Sequence, residues 1–334
     1  MSQVAIRVLF GTLLLIHLAC SPDPEDAVTS GSRTDRPYAV VLGTAQDGGL
    51  PQIGCRASLC LEARRNPERR RLVTSLLLVD PRTSKRWLFD ASPDLSDQVA
   101  RADTLAPLDP AVSGRPPLFD GIFLTHAHVG HYAGLLQLGR EAYGAAQQVV
   151  HATPRMSAFL RGHGPWSLLV DEGHIRIETL EPGLELSLAA DLRVRAIPVP
   201  HRDEFSDTVA FLIEGPTGSL LYLPDIDKWD RWDRPLEAVL SEVDVALIDG
   251  TFYAEGEIPG RSMKDIPHPF IEETIARLAS ASSSVRAKVV FTHLNHSNPA
   301  SDPETKAAAR VRAAGMSIAR EMQRFDLGSG RERR

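Results

Sequence analysis

Three histidines that follow a short apolar stretch set the strongest constraint on how this chain folds. His126, His128 and His131 lie within six residues of one another. The run from Gly121 to Leu124 predicts a buried strand, and the segment that begins at Tyr132 predicts a helix. Histidines at this spacing across a strand-to-helix turn can converge on one point at the end of a sheet. Because neutral imidazole is the commonest metal ligand, the sequence predicts a metal site there.

Strand-like and helical patterns alternate along most of the chain. The predicted strands span residues 38–43, 73–80, 86–91, 121–124, 148–151, 192–199, 208–214, 219–223, 244–249 and 287–292. The predicted helices span residues 94–103, 131–144, 154–162, 235–241, 269–281 and 303–324. This alternation predicts an α/β fold in which two sheets pack face to face between helices.

The histidine run resembles the signature of the metallo-β-lactamase superfamily, H-x-H-x-D-H, except that Gly130 stands where the family has aspartate. The resemblance implies an αβ/βα four-layer sandwich with two central mixed β-sheets. It assigns His126 and His128 to a first metal ion and His131 to a second. It also implies one or two zinc ions, with Fe²⁺ or Mn²⁺ as alternatives.

The same resemblance, followed in chain order, implies further site residues that each come after an apolar strand. His201 corresponds to a ligand of the first ion, Asp225 to the aspartate that bridges the ions, and His293 to a ligand of the second ion. Asp90 stands where the superfamily has an aspartate that orients a metal-binding histidine and fixes its tautomer. A capping or turn aspartate is the alternative interpretation of Asp90.

The glycine at position 130 predicts that the second ion binds more weakly than the first. Asp225 alone would have to serve both ions, and removing a negative ligand costs a divalent cation affinity in a buried pocket. Asp203 or Asp207, close after His201, could fold back and supply the missing carboxylate.

Four segments outside these ligands resemble the pyrroloquinoline-quinone biosynthesis protein B branch of the superfamily. They are residues 41–52, 152–155, 247–252 and 292–299. Many members of that branch have lost the upstream histidine pair, whereas this chain keeps His126 and His128. The resemblance therefore indicates a relative of that branch with an intact first metal site.

Cys55 and Cys60 lie in a short segment after a Gly/Pro-rich loop. The resemblance implies that cysteines here form a structural zinc site with a histidine three residues after the last catalytic one, which corresponds to His296. Ala57 occupies the place of the usual middle cysteine, so a tetrahedral zinc would be one ligand short. A disulfide formed in an oxidising compartment and free thiols are the alternatives.

An apolar segment near the N-terminus predicts export. Residues 4–19 are almost wholly apolar and too short to span a membrane comfortably, which is typical of a secretory signal. The sequence Leu18-Ala19-Cys20 resembles a bacterial lipoprotein cleavage site, after which a lipidated Cys20 would form the mature N-terminus. We therefore expect a periplasmic or cell-envelope protein that is attached to the membrane by a lipid anchor.

The rest of the chain predicts one domain with flexible ends. Residues 1–20 form the predicted signal peptide, 21–37 a polar tether, 38–326 a single metallo-β-lactamase-like domain and 327–334 a disordered tail. Apolar residues make up 43% of the chain, enough for a large core. The net charge of −6 argues against a nucleic-acid partner, which would need a broad basic surface.

Metal-assisted hydrolysis of a small molecule is the predicted function. Three histidines on one zinc ion are the set that lowers the pKa of water to about 7, which would allow attack on an ester, phosphodiester, lactam or thioester. Asp225 would bridge the ions or hydrogen-bond that water, and His293 or His268 would donate a proton to the leaving group.

Two other functions stay open. His131, His293 and Asp225 make two histidines and a carboxylate, the ligand set of non-haem Fe(II) oxygenases, and the biosynthesis branch has been linked to oxidation. The third hypothesis is a metal-binding lipoprotein without catalysis, because Gly130 departs from the signature.

Overall fold

Two seven-stranded mixed β-sheets form the centre of the structure, a computed structural model that describes residues 36–258, 260, 262–263 and 266–328. The first sheet runs in the order β14 (Arg324–Asp326), β1 (Tyr38–Gly43), β2 (Ser75–Asp80), β3 (Lys85–Phe89), β4 (Gly121–Phe123), β5 (Gln148–Ala152) and β6 (Ile175–Thr179). The second runs in the order β13 (Ser317–Ile318), β12 (Val289–Thr292), β11 (Val245–Asp249), β10 (Ser219–Leu223), β9 (Val209–Glu214), β8 (Leu192–Pro198) and β7 (Glu185–Ala189).

Each sheet is antiparallel in one half and parallel in the other. In the first sheet the pairs from β14 to β3 are antiparallel and those from β3 to β6 are parallel. In the second sheet the pairs from β13 to β10 are parallel and those from β10 to β7 are antiparallel.

Helices cover the outer faces of the sheets. The α-helices in the described part of the chain are α1 (Ser58–Arg65), α2 (Leu95–Leu105), α3 (Val129–Tyr132), α4 (Pro154–Gly162), α5 (Trp166–Asp171), α6 (Leu236–Glu242), α7 (Ile271–Arg277), α8 (Ser283–Arg286) and α9 (Lys306–Ala313). Short 3₁₀ helices cover Pro67–Arg69, Ala133–Leu138, Trp229–Arg231 and Pro299–Ser301. Over these residues, no helix has the length and apolar character needed to cross a membrane.

Strand β1 shows why the central strands are apolar throughout. Successive side chains of a strand point to opposite faces, so a strand buried on both faces needs apolar residues at every position. Ala39 and Val41 belong to the core between the sheets, whereas Val40 and Leu42 pack in the core beneath the helices. A third core lies between the second sheet and its helices. The predicted four-layer sandwich with two central mixed sheets is confirmed.

Aromatic side chains fill the middle of the core between the sheets. Phe89 stacks on Phe123 with ring centroids 4.8 Å apart, and both rings meet Phe211 edge to face at 5.3 and 5.6 Å. Tyr222 lies 6.2 Å from Phe89 and is fully buried. Because β3 ends directly before Asp90 and β4 ends three residues before His126, this packing holds the strand ends that lead to the candidate site.

The predicted helix over 303–324 is wrong beyond Ala313. Gly315 has a φ of 78°, a conformation that favours glycine and ends helices. The chain then forms β13 and β14, which pair with β12 and β1 respectively. The last part of the chain therefore closes an edge of each sheet.

The described residues correct one predicted end of the domain. Leu327, assigned above to a disordered tail, is buried, and its N–H donates to the carbonyl of Pro37. Its own carbonyl accepts hydrogen bonds from the N–H groups of Thr217 and Gly218. The predicted signal peptide, Cys20, residues 21–35 of the tether and residues 329–334 lie outside the described residues.

Candidate metal centre

The predicted ligands lie at strand ends of both sheets and converge on one region. His126 and His128 follow β4 of the first sheet, whereas His201, Asp225 and His293 follow β8, β10 and β12 of the second. Each of these residues comes within five residues after the end of its strand. The site therefore lies where the ends of the two sheets meet.

A first group consists of His126, His128, His201 and Asp225, whose ligand atoms all lie within 4.8 Å of one another. His126 Nε2 is 2.8 Å from His128 Nδ1 and 3.4 Å from Asp225 Oδ2. His201 Nε2 is 3.7 Å from Asp225 Oδ1. Two ligands on a tetrahedral zinc with bonds of about 2.0–2.1 Å lie about 3.3 Å apart. This spacing fits one ion after small shifts.

A second group consists of Asp47, His131 and His293. Asp47 Oδ1 lies 3.7 Å from His131 Nε2 and 4.0 Å from His293 Nε2. Asp225 Oδ2 lies 3.2 and 3.5 Å from the same two nitrogens. Asp225 thus stands between the two groups, at the position that the resemblance implied for a bridging carboxylate.

Several polar atoms in these groups are buried without a hydrogen-bond partner among the described residues. They are Asp47 Oδ1, His131 Nε2, His201 Nε2, Asp225 Oδ1 and His293 Nε2. Buried polar atoms in folded proteins are nearly always paired, and an unpaired one costs about 1–3 kcal/mol. Five such atoms directed at one region fit divalent cations, which would satisfy all of them.

The second ring nitrogen of each of the five histidines in the two groups has its own partner. These distances are 3.0 Å from His126 Nδ1 to Thr125 Oγ1, 2.7 Å from His131 Nδ1 to Asp90 Oδ2, 3.2 Å from His201 Nδ1 to Asp227 Oδ1, 2.9 Å from His293 Nδ1 to Thr251 Oγ1 and 3.2 Å from His128 Nε2 to Glu204 Oε2. Partners of this kind fix the tautomer and the ring direction of metal-binding histidines. Of these partners, only Asp90 was predicted from the sequence.

Asp90 is fully buried and lies at the centre of a small polar network. Its carboxylate faces His131 and accepts hydrogen bonds from Thr125 N and Tyr222 Oη at 2.9 and 3.1 Å. The φ angles of Asp90 and His293 are 64° and 60°, in the left-handed region that few non-glycine residues adopt. Such backbone strain is typical of functional sites.

His268 lies beside Asp225 and a further buried carboxylate. Its Nδ1 is 2.8 Å from Asp249 Oδ2 and 3.2 Å from Asp225 Oδ1. Burial lowers its pKa, but the two carboxylates outweigh burial and raise the pKa of His268 to about 9. The structure thus places His268 at the candidate metal site and adds Asp249, which ends β11 and lies in the segment 247–252 that resembles the biosynthesis branch.

Burial and charge act in opposite directions on the other groups. Burial lowers the pKa values of His126, His128 and His293, which favours the neutral form that binds metals. Burial also opposes charge on His131, yet Asp90 and Asp225 raise its pKa well above the usual range. Burial would raise the pKa of Asp225, but the surrounding histidines lower it well below its usual value.

The suggestion that Asp203 or Asp207 folds back into the second group is wrong. Asp203 pairs with Arg155 at 3.2 Å in an exposed position, and Asp207 accepts a hydrogen bond from Thr153. The carboxylate found in the second group is Asp47. The sequence held a signal for it, because Asp47 lies in the segment 41–52 that resembles the biosynthesis branch.

Cys55 and Cys60 form a disulfide, which is one of the three states that the sequence left open, so the structural zinc site that the resemblance implied does not form. Both sulfur atoms are used in the covalent bond, and Cys55, Cys60 and His296 form no metal-ligating group in the described part of the chain. Arg64 donates hydrogen bonds to the carbonyls of Cys55 and Gln52 and thereby ties α1 to the same loop.

The sequence itself defines the class of protein. Residues 85–318 match the profile of the family described as "Beta-lactamase superfamily domain". Together with the two-sheet sandwich and the histidine clusters, this match shows that the chain belongs to the metallo-β-lactamase superfamily, in the branch of the coenzyme PQQ synthesis protein B.

Individual relatives agree with this membership. Coenzyme PQQ synthesis protein B of Methylobacterium sp. (strain 4-46) is 30% identical over 307 residues, which cover 85% of this chain and 97% of the relative. The crystal structure of Zn²⁺-bound PqqB from Methylobacterium extorquens superposes with a TM-score of 0.72 at 25% identity, over 87% of this chain and all of that one.

A new diphosphatase from the PhnP family shares the fold, with a TM-score of 0.60 at 20% identity over 87% of this chain and 97% of that one.

Proposed function

We propose that this protein is a metal-dependent hydrolase that acts on an ester, phosphodiester, lactam or thioester bond of a small molecule. The observation that carries the proposal is the convergence of His126, His128, His201 and Asp225 on one point. The zinc in the solved relative from Methylobacterium extorquens supports zinc as the metal. The names of the relatives, which refer to synthesis of a coenzyme, support a small-molecule substrate.

The first group supplies the ligand set that hydrolysis needs. His126, His128 and His201 would hold the ion through neutral nitrogens, and Asp225 would offset part of its charge. When bound, zinc acts as a Lewis acid and lowers the pKa of a water molecule to about 7. Asp225 is 3% exposed, so its carboxylate would act on that water with little screening by solvent.

His268 is better placed than His293 to donate a proton to the leaving group. His293 Nε2 faces Asp47 and Asp225 within the second group, which is the position of a ligand. The Nδ1 atom of His268 is engaged by Asp249, so the proton that His268 delivers would be the one on Nε2. Asp249 holds the ring in that orientation.

The open side of the site lies near His128 and His268. Their side chains are 13% and 11% exposed, whereas those of His126, His201 and His293 are each 1% exposed. A substrate would therefore approach between these two histidines. Its scissile bond would then lie near the first group and its leaving group near His268.

A second function, oxygenation by non-haem iron, is favoured by a different observation. Asp47, His131 and His293 are two histidines and one carboxylate, the set that Fe(II) oxygenases use. The two functions differ in the metal and in the group that would do the chemistry. Purification with and without oxygen, followed by metal analysis, would distinguish them, since only the oxygenase requires iron and consumes oxygen.

Hydrolysis can be tested with panels of ester, phosphodiester, lactam and thioester substrates. We expect the zinc-loaded protein to hydrolyse one class and the His126→Ala variant to lose that activity. His163→Ala is a matched control, because His163 lies outside the site with its Nδ1 3.0 Å from the carbonyl of Phe159. Hydrolysis that persists in His126→Ala, or substrate-dependent oxygen uptake by the iron form alone, would contradict the proposal.

A further inference from the structure

We propose that Asp47 replaces the aspartate missing at position 130 as the carboxylate ligand of a second metal ion, so that the chain binds two ions. The inference rests on the proposed metal centre but not on hydrolysis. It assigns a ligand from the loop after β1, far from the histidine motif in the sequence.

The positions of the atoms support a complete second site. Asp47 Oδ1 is buried and without a hydrogen-bond partner among the described residues, as are His131 Nε2 and His293 Nε2. These three atoms lie within 4.8 Å of one another, and Asp225 Oδ2 lies close to both nitrogens. Two histidines, one terminal carboxylate and one bridging carboxylate make four donors, the number that zinc favours.

The space that Asp47 occupies exists only because residue 130 is glycine. A Cβ atom at Gly130 would lie 2.1 Å from Asp47 Oδ1 and 2.8 Å from Asp47 Cα. The second contact involves backbone, so a rotation of the Asp47 side chain would not relieve it. Gly130 lies in the helical turn of α3, where other residues fit the backbone equally well. The glycine is therefore needed for room and not for its backbone angles.

The loop that carries Asp47 is attached to the strand end that carries His293. Gln46 N donates to the carbonyl of Leu294 at 2.9 Å, and Leu294 N donates to the carbonyl of Thr44 at 2.8 Å. Gln46 Nε2 also donates to Asp47 Oδ2 at 2.8 Å. The second oxygen of Asp47 is thus held in place while Oδ1 faces the histidines.

Charge balance explains why a carboxylate is needed there. Without Asp47, Asp225 would be the only carboxylate among the ligand atoms of the two groups. Opposite charges attract strongly where water is excluded, so an added carboxylate raises the affinity of the second ion. The weaker second site expected from Gly130 alone therefore does not follow once Asp47 is included.

Metal content of the purified full-length chain tests the assignment without any substrate. We expect two zinc ions per chain in the natural protein and one in Asp47→Ala. Elemental mass spectrometry of the protein after gel filtration measures this zinc content. Asp47→Asn keeps the shape of the side chain and removes its charge, so the second ion should bind at least about tenfold more weakly. Asp203→Ala, which alters an exposed aspartate outside the site, should keep two ions.

Substitution at position 130 gives a second test. Gly130→Ala should lose the second ion, because the new Cβ would collide with Asp47 and brings no carboxylate of its own. Circular dichroism checks that each variant is folded, and Asp47→Asn keeps the test decisive if a bulkier change prevents folding.

Two results would overturn the assignment. One is that Asp47→Ala keeps two ions and Asp47→Asn binds the second ion with unchanged affinity. The other is that the natural protein binds only one ion under saturating zinc. Failure of hydrolysis is distinguishable from both. A chain that binds two ions, loses one in Asp47→Ala and hydrolyses no member of the panels would contradict the proposed hydrolase and support Asp47 as a ligand.

Discussion

Tyr222 donates a hydrogen bond through Oη to Asp90 Oδ2 across 3.1 Å, from β10 of the second sheet to the end of β3 in the first. The same oxygen of Asp90 lies 2.7 Å from His131 Nδ1. Because the Tyr222 ring is fully buried among the aromatic residues between the sheets, the packing of that core also orients a candidate metal ligand. Stability and metal affinity are therefore linked at Tyr222.

The variant Tyr222→Phe should show this link. It keeps the ring and removes one hydrogen bond to a buried carboxylate, so we expect a loss of about 1–2 kcal/mol in the free energy of unfolding. Looser orientation of His131 should also weaken binding of the second ion, by about tenfold. Denaturant unfolding and zinc titration measure the two effects.

Tyr143→Phe is the matched control. Its hydroxyl donates to the carbonyl of Pro116 at 2.8 Å, away from the candidate site. We expect a comparable loss of stability with unchanged zinc affinity. If Tyr222→Phe also left zinc affinity unchanged, the proposed role of Asp90 as an orienting group for a metal ligand would be wrong.

Replacing both His126 and His128 by alanine should remove the first ion. Each histidine supplies one nitrogen to the same group, and His201 with Asp225 alone leaves too few donors to hold zinc tightly. We expect the metal count to fall by one ion per chain and hydrolysis to disappear. Retention of the full metal count in the double variant, measured after dialysis against a weak chelator, would contradict the ligand assignment.

The disulfide between Cys55 and Cys60 should stabilise the loop before α1. Closing so short a loop restricts the unfolded chain, and a contribution of about 2 kcal/mol is expected. The double variant Cys55→Ser with Cys60→Ser should therefore unfold at a lower temperature than the natural protein. Thiol titration of the unfolded full-length chain should find one free thiol without reductant and three with it, and three without reductant would exclude the disulfide.

Export remains a prediction from residues 4–20 of the sequence. We expect cleavage before Cys20 and lipid attachment at that cysteine in a bacterial host. Mass spectrometry of the mature N-terminus decides between the possibilities. An intact Met1 on protein recovered from the cytosol would contradict export, whereas cleavage at another residue would contradict only lipidation.

The sequence predicted the fold and the convergent histidines because both depend on local patterns. An apolar strand followed by a histidine or aspartate is visible within about six residues, and the carboxyl ends of adjacent strands meet in space. His201, Asp225 and His293 could be assigned in this way without knowledge of the sheet order. The same local signal predicted ten strands of the sandwich.

Asp47 also follows an apolar strand, since β1 ends four residues before it, but its position beside His131 and His293 depends on pairing between distant parts of the chain. The loop around it is bonded to Leu294, which lies almost at the other end of the sequence. The short edge strands β13 and β14 were not predicted, for a related reason. They are only partly buried and have no apolar run of their own, so pairing with β12 and β1 determines their conformation.

The position of the first group at the meeting edge of the two sheets has a mechanical consequence. An ion bound by His126 from one sheet and His201 from the other would link the two sheets, and this link would exist only while the sheets remain packed together. Zinc at a free concentration a thousand times its dissociation constant would then add about 4 kcal/mol to the free energy of unfolding. Removal of the ion by a chelator would loosen the ends of β4 and β8 well before it disturbed the aromatic core between the sheets. Backbone amide hydrogens at these strand ends would therefore exchange first.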